Sequence, residues 1–260
     1  MKKGFWGKIE KGVRDFFSNR GYTCDGCGGE IFDYPIHRLC ADCEEKLERV
    51  GATFCIKCGR KTTTDGVCLD CKGNLPKFTR GFAPFVYRNE VAAMVNRMKN
   101  GNPRLALYFG EQMAEYFAEN YLKAENSDKE WVIIPVPMTK DKIIDRGYNQ
   151  SERLAESVCE RLIKLGFNAR IETDLLQKRK ETAPQKLMTY VERMENVSGA
   201  YHVHKRKDCK DKTLLLIDDV LTTGATSSEC AARLFGADAK EVYFLSVAAL
   251  VERRQGAGTR

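Results

Sequence analysis

The stretch Leu214-Leu215-Leu216-Ile217-Asp218-Asp219-Val220-Leu221-Thr222-Thr223-Gly224-Ala225-Thr226 decides the fold. Four apolar residues in a row read as a strand buried on both faces, the pattern of a parallel sheet. Two carboxylates stand where that strand ends, and a loop of small, hydroxyl-bearing residues with one glycine follows. Ser227 to Phe235 then has helical character. Strand, acidic pair, tight loop and helix is how an open α/β sheet builds a ligand site at its carboxyl edge. Backbone N–H groups of such a loop, with the positive end of the helix dipole, cradle an anion. The aspartates repel that anion, so they suit sugar hydroxyls or Mg²⁺ instead. A phosphate pocket beside a diol-binding acidic pair suggests a ribose 5-phosphate.

This stretch resembles the phosphoribosyl pyrophosphate (PRPP) signature of the type I phosphoribosyltransferases. The resemblance implies that Asp218 and Asp219 meet the ribose hydroxyls, with Mg²⁺ nearby. It also implies that Thr222, Thr223, Gly224, Ala225 and Thr226 hold the 5-phosphate. A rival is a Walker B strand, also apolar and ending in acids. That strand works with a Walker A loop, Gly-x-x-x-x-Gly-Lys-Ser/Thr, and the chain carries none.

Working outward, 260 residues suffice for one domain of ordinary size and a small one. The net charge of +7, from 43 Lys+Arg against 36 Asp+Glu, is compatible with polyanionic partners such as nucleotides or nucleic acid and proves neither. No apolar run reaches about 18 residues, so no transmembrane helix is indicated. The basic start, with Lys2, Lys3, Phe5, Trp6, Ile9, Val13, Phe16 and Phe17, is a poor signal peptide. Residues 1–20 fit an amphipathic helix, packed on its own protein or lying on a membrane surface. The expected location is the cytoplasm, with the inner face of the membrane as the second option.

Eight of the eleven cysteines fall in four Cys-x-x-Cys pairs: Cys24/Cys27, Cys40/Cys43, Cys55/Cys58 and Cys68/Cys71. This is metal-ligand spacing. The pattern repeats after about thirty residues, and two consecutive four-cysteine sites follow, although a cross-braced pairing satisfies the same spacing. His37 lies near Cys40 and offers a substitute ligand; as the eight thiols suffice, it reads as a surface side chain. A ribbon this small buries too little apolar surface, so zinc would supply its folding energy. Closed sites of four thiolates are structural. Cys159, Cys209 and Cys230 stand alone and read as buried small hydrophobes.

The expected domains are the helix at 1–20, a double zinc ribbon at 21–75 and a phosphoribosyltransferase-like domain at 76–260. Leu75-Pro76-Lys77 reads as the linker. Glu44 to Val50 reads as a short helix, Arg80 to Tyr87 as an edge strand, and Glu90 to Lys99 and Arg104 to Lys123 as helices. Trp131 to Pro137 is a second buried strand. Met138 to Gln150 reads as a charged loop carrying Lys140, Arg146, Asn149 and Gln150, and a helix from Ser151 follows. A cationic loop beside the acidic pair suits a pyrophosphate; the plain alternative is a solvated surface. Ile171 to Leu176 reads as a strand, and 177–196 as a long polar loop with Arg179 and Gln185. That loop is read as a basic lid or as disorder.

Several of these segments agree with one family, and the chain resembles the ComF proteins. The matching residues are the four Cys-x-x-Cys pairs, Pro135-Val136-Pro137, Arg146-Gly147-Tyr148-Asn149-Gln150, Lys180 to Gln185 with Arg193, Asn196 and Gly199-Ala200-Tyr201, and Leu216 to Thr226. The family pattern carries a second basic residue where Ile144 stands. The resemblance implies an N-terminal zinc ribbon joined to a type I phosphoribosyltransferase domain, with a parallel sheet flanked by helices. It implies a role in competence, where imported single-stranded DNA is handled beside a DNA-uptake helicase and other competence proteins. Two readings follow: a PRPP-dependent transferase with an unassigned acceptor, or an adaptor that binds PRPP or nucleic acid without turnover.

Overall fold

The computed structural model describes residues 23–33, 36–63, 65–125, 129–180, 182, 190–204 and 209–251. The expected helix at 1–20 lies outside them, as does Gln185. The chain divides into two compact units, Met1–Leu47 and Glu48–Arg260. The first holds the first pair of Cys-x-x-Cys motifs, and the second holds everything from the second pair onward.

In the larger unit the strands are β1 (Arg80–Phe82), β2 (Phe85–Val86), β3 (Trp131–Pro135), β4 (Ala169–Ile171), β5 (Leu176–Lys178), β6 (Tyr201–Val203), β7 (Thr213–Leu221) and β8 (Glu241–Ala249). The main sheet runs β1-β8-β7-β3-β4, with β2 also paired to β8, and all its ladders are parallel. β5 and β6 form a separate antiparallel pair. The unit's helices of seven residues or more are α1 (Asn89–Lys99), α2 (Leu105–Phe117), α3 (Lys140–Arg146), α4 (Gln150–Lys164), α5 (Tyr190–Val197) and α6 (Ala225–Phe235). This is the parallel sheet flanked by helices expected for a phosphoribosyltransferase-like domain.

β7 is the central strand, and Leu214, Leu215, Leu216 and Ile217 are all fully buried. The run is apolar without alternation because both faces are covered. α2 and α4 pack on one face, while α6 and the second ribbon share the other. Phe78, just after the expected linker, is fully buried and stacks on Phe244 with centroids 5.3 Å apart. Phe82, Phe117, Tyr121, Trp131 and Tyr243 make an aromatic cluster on the α2 side.

The connection after β3 runs outward to β4, and the one after β7 runs the opposite way to β8. The carboxyl ends of β3 and β7 therefore flank a topological switch point, where open α/β sheets hold ligands.

Four sequence expectations are corrected. Ile171 to Leu176 is not one strand: Ala169–Ile171 lies in the main sheet and Leu176–Lys178 belongs to the separate antiparallel pair. Met138 to Gln150 is not all loop, because Lys140–Arg146 is helical; Gly147 closes that helix, donating its N–H to Ile143 O at 2.7 Å. The 177–196 stretch is likewise bounded by structure, with Gln177 and Lys178 in β5 and 190–197 in α5. The short helix in the first ribbon is Ala41–Glu45 rather than Glu44 to Val50, starting directly after Cys40. Among the described residues no helix is long and apolar enough to cross a membrane.

Candidate functional site

Asp218 and Asp219 sit near the carboxyl end of β7, and the first two residues of α4 reach both. Ser151 Oγ donates to Asp218 Oδ1 at 3.0 Å, and Gln150 Nε2 donates to Asp219 Oδ2 at 2.8 Å. The Asp219 backbone N–H adds a bond to Asp218 Oδ1 at 2.9 Å. From the end of α1, Lys99 Nζ lies 2.9 Å from Asp219 Oδ1. The pair is thus asymmetric, since Asp219 is neutralised by an ammonium and Asp218 is not.

Burial, then the charge of Asp219, pushes the Asp218 carboxyl up to about 7. Burial alone would lower the Lys99 ammonium, but the charge and hydrogen bond of Asp219 and the charge of Asp218 outweigh it and hold it above its usual value. Tyr201 is raised by burial and by the nearby Cys230 and Asp218. The cavity at the pair is lined by Tyr87, Lys99, Asp218, Asp219, Thr226 and Ser227, among others.

The loop after β7 turns sharply into α6. Gly224 is its N-cap, with φ of +81°. A β-carbon there would have its nearest neighbours at 3.7 and 3.8 Å, so space is not the constraint. The left-handed backbone is what requires glycine. Gly224 O accepts from Ser228 N–H at 2.8 Å, and Thr223 Oγ1 accepts from Ala225 N–H at 3.4 Å. Arg193 Nη1, on α5, approaches Thr222 Oγ1 at 3.4 Å. The α6 N-terminus and small side chains at Ala225, Thr226 and Ser227 give the donors and room an anion needs.

The residues predicted for the pyrophosphate side divide. Gln150 touches the acidic pair directly. Arg146 acts one step behind it, donating Nη1 to Gln150 Oε1 at 2.5 Å. Asn149 is a structural cap: its Oδ1 accepts from Ser151 N–H at 3.1 Å, and its Nδ2 donates to Val136 O at 3.2 Å. Lys140 and Arg179 are exposed and make no side-chain hydrogen bond or ion pair with the described residues. Gln185 lies outside those residues. Lys99, Tyr87, Ser151 and Arg193 were not singled out as site residues from the sequence, because they enter from separate elements and only the fold assembles them.

The eight paired cysteines form two sequential clusters, Cys24/Cys27/Cys40/Cys43 and Cys55/Cys58/Cys68/Cys71, each with its sulfurs within 4.8 Å of one another. This excludes the cross-braced pairing. Sulfurs of Cys27 and Cys40, and of Cys58 and Cys68, are 3.8 Å apart. A tetrahedron with zinc–sulfur bonds of about 2.3 Å has edges of about 3.8 Å, whereas a disulfide needs about 2.0 Å. Backbone N–H groups of Cys40 and Cys68 point at Cys24 Sγ and Cys55 Sγ, at 3.2 and 3.3 Å, as thiolate ligands require. The donor sets fit two closed zinc-binding sites. His37 takes no part: it is exposed and lies 3.7 Å from Asp33. Cys159, Cys209 and Cys230 are buried, as expected of small hydrophobes.

Residues 16–72 match the double zinc ribbon domain. Together with the sheet, this defines the class: an α/β chain with a parallel sheet, an acidic-pair site at its carboxyl edge and two four-cysteine ribbons. The chain is 31% identical over 215 residues to competence protein ComFC of Streptococcus pneumoniae, covering 80% of this chain and 86% of that one. It is 26% identical over 199 residues to competence protein ComFC of Bacillus subtilis, covering 74% and 75%. The chain belongs to the competence protein ComFC family. Hypoxanthine-guanine phosphoribosyltransferase from Schistosoma mansoni in complex with IMP is 15% identical with a TM-score of 0.31 over 54% of each chain, a likeness too distant to carry an argument.

Proposed function

We propose that the chain binds PRPP with Mg²⁺ at the carboxyl end of β7, acts as a phosphoribosyltransferase, and serves the handling of single-stranded DNA in competence. The observation that carries this reading is the pairing of Asp218 and Asp219 with an α6 N-terminal loop at one switch point. The aspartates accept hydrogen bonds from the ribose hydroxyls. The 222–226 loop takes the 5-phosphate through backbone N–H groups and hydroxyls. Lys99 Nζ, 2.9 Å from Asp219, places a cation beside the ribose, where pyrophosphate departs.

The carboxylate pair is a hard oxygen donor set that fits Mg²⁺, and Mg²⁺ would supply charge neutralisation of the diphosphate. Catalysis is then electrostatic: carboxylates oppose the positive charge growing on the ribose ring, with no need of a protein nucleophile. Membership in the competence family supports the role in DNA uptake. Beside a DNA-uptake helicase, the net charge of +7 would favour a polyanionic strand.

The test is calorimetry with Mg·PRPP, then pyrophosphate release across a panel of bases and single-stranded DNA. Binding with release on an acceptor is expected. Absence of binding overturns the reading, and binding without release on any acceptor replaces the transferase with the adaptor.

A further inference from the structure

The second ribbon is built into the sheet. Gly81 N–H, on edge strand β1, donates to Lys57 O at 2.8 Å, and Lys57 Nζ reaches back to Phe78 O and Thr79 O. Gly59 packs so tightly on β1 that a β-carbon there would lie 2.6 Å from Gly81 O. Cys55, Cys58, Cys68 and Cys71 are buried in one apolar cluster with Leu216, Leu221, Ala225 and Phe244.

Arg60 stands at the junction and is 4% exposed. Its guanidinium serves three separate places. Nε donates to Cys58 Sγ at 3.3 Å, a zinc ligand. Nη1 meets Asp70 Oδ2 at 2.5 Å, between the ligands Cys68 and Cys71. Nη2 donates to Thr222 O at 2.9 Å, in the first residue of the anion loop. The fork is rigid and planar, so fixing two of its arms on the ribbon fixes the third.

The peptide plane carries this further. In a trans peptide the C=O and the following N–H point in opposite directions. Holding the Thr222 carbonyl toward the ribbon turns the Thr223 N–H away from it. Two cavities meet the loop: Arg60, Asp70 and Thr223 line the one on the ribbon side, Asp218, Asp219 and Thr226 line the one at the acidic pair, and Thr222 lines both.

We propose that Arg60 is a positioning residue through which the metal-loaded second ribbon fixes the Thr222–Thr223 peptide plane at the start of the phosphate loop, so that zinc at Cys55/Cys58/Cys68/Cys71 and anion binding strengthen one another. The proposal rests on reading the 222–226 loop as the phosphate cradle. Such coupling is reciprocal: zinc raises anion affinity, and the anion slows zinc loss.

The experiment uses the full chain and Mg·PRPP. Arg60→Met, with both zinc ions retained by metal analysis, is expected to bind about tenfold more weakly. Zinc release to a colorimetric chelator is followed with and without PRPP at saturation for each protein. In the parent, PRPP should slow release of one zinc ion of the two; in Arg60→Met that protection should vanish. General stabilisation by ligand would protect both proteins alike, and that result overturns the proposal. So does unchanged affinity in Arg60→Met. Should Arg60→Met lose its zinc, Asp70→Asn replaces it, with about threefold weakening expected and unchanged affinity contradictory. A parent that fails to bind Mg·PRPP defeats the reading of the loop itself, a result distinct from loss of the coupling alone.

Discussion

At the scale of single residues, the site is governed by the asymmetry of its acidic pair. Asp219 has Lys99 and Gln150, whereas Asp218 has Ser151, a backbone N–H and an upward-shifted carboxyl. The sign of the resulting pH dependence is fixed. A carboxyl whose folded pKa lies above its unfolded value binds its proton more tightly when folded, so it costs stability as pH rises between the two values. For Asp218 that window runs from the ordinary carboxylate range to about 7. Asp218→Asn should therefore leave stability nearly unchanged near pH 4 and raise it at pH 8, measured by urea unfolding at both pH values without ligand. Lys99→Met should act oppositely, leaving two adjacent carboxylates uncompensated. A loss of about 3 kcal/mol at pH 8 is expected, together with weaker Mg·PRPP binding. Equal stability of Lys99→Met and parent would show that solvent already screens the pair.

At the scale of elements, the legible parts of the site were the contiguous ones. Leu214 to Thr226 declares its strand, acids and turn within thirteen neighbouring positions, and the cysteines declare themselves by spacing. Lys99 and Arg60 had no such signal. Each is one of 43 cationic residues, and only the fold, which brings the end of α1 and the second ribbon to the carboxyl end of β7, gives them partners. Lys140–Arg146 reads as loop in the sequence because its dense charge suits a pyrophosphate-binding segment and hides the helix that Gly147 stops. The turn into α6 makes its own prediction. Gly224→Ala has room but must adopt a φ near +81°, at a cost of about 1 kcal/mol. Its melting temperature should fall modestly and its PRPP affinity with it. A variant that melts like the parent would mean that the loop relaxes freely.

At the scale of the whole molecule, the two ribbons sit in different compact units. The first belongs to Met1–Leu47, and the second is part of the Glu48–Arg260 core. Purified protein should carry about two zinc ions per chain. Stripping them should cost the larger unit its cooperative melt, because four buried thiols in its core would lose their common partner; a metal-free chain with an unchanged melt would contradict the closed-site assignment. The central claim is that the acidic pair receives the ribose of PRPP, and thermal melts of parent and Asp218→Asn with and without Mg·PRPP test it most directly. A ligand that binds only the folded state raises the melting temperature. The parent should show that rise, while Asp218→Asn should melt no lower than the parent without ligand and show almost no rise with it. An Asp218→Asn protein that keeps the full ligand-induced shift would contradict the account.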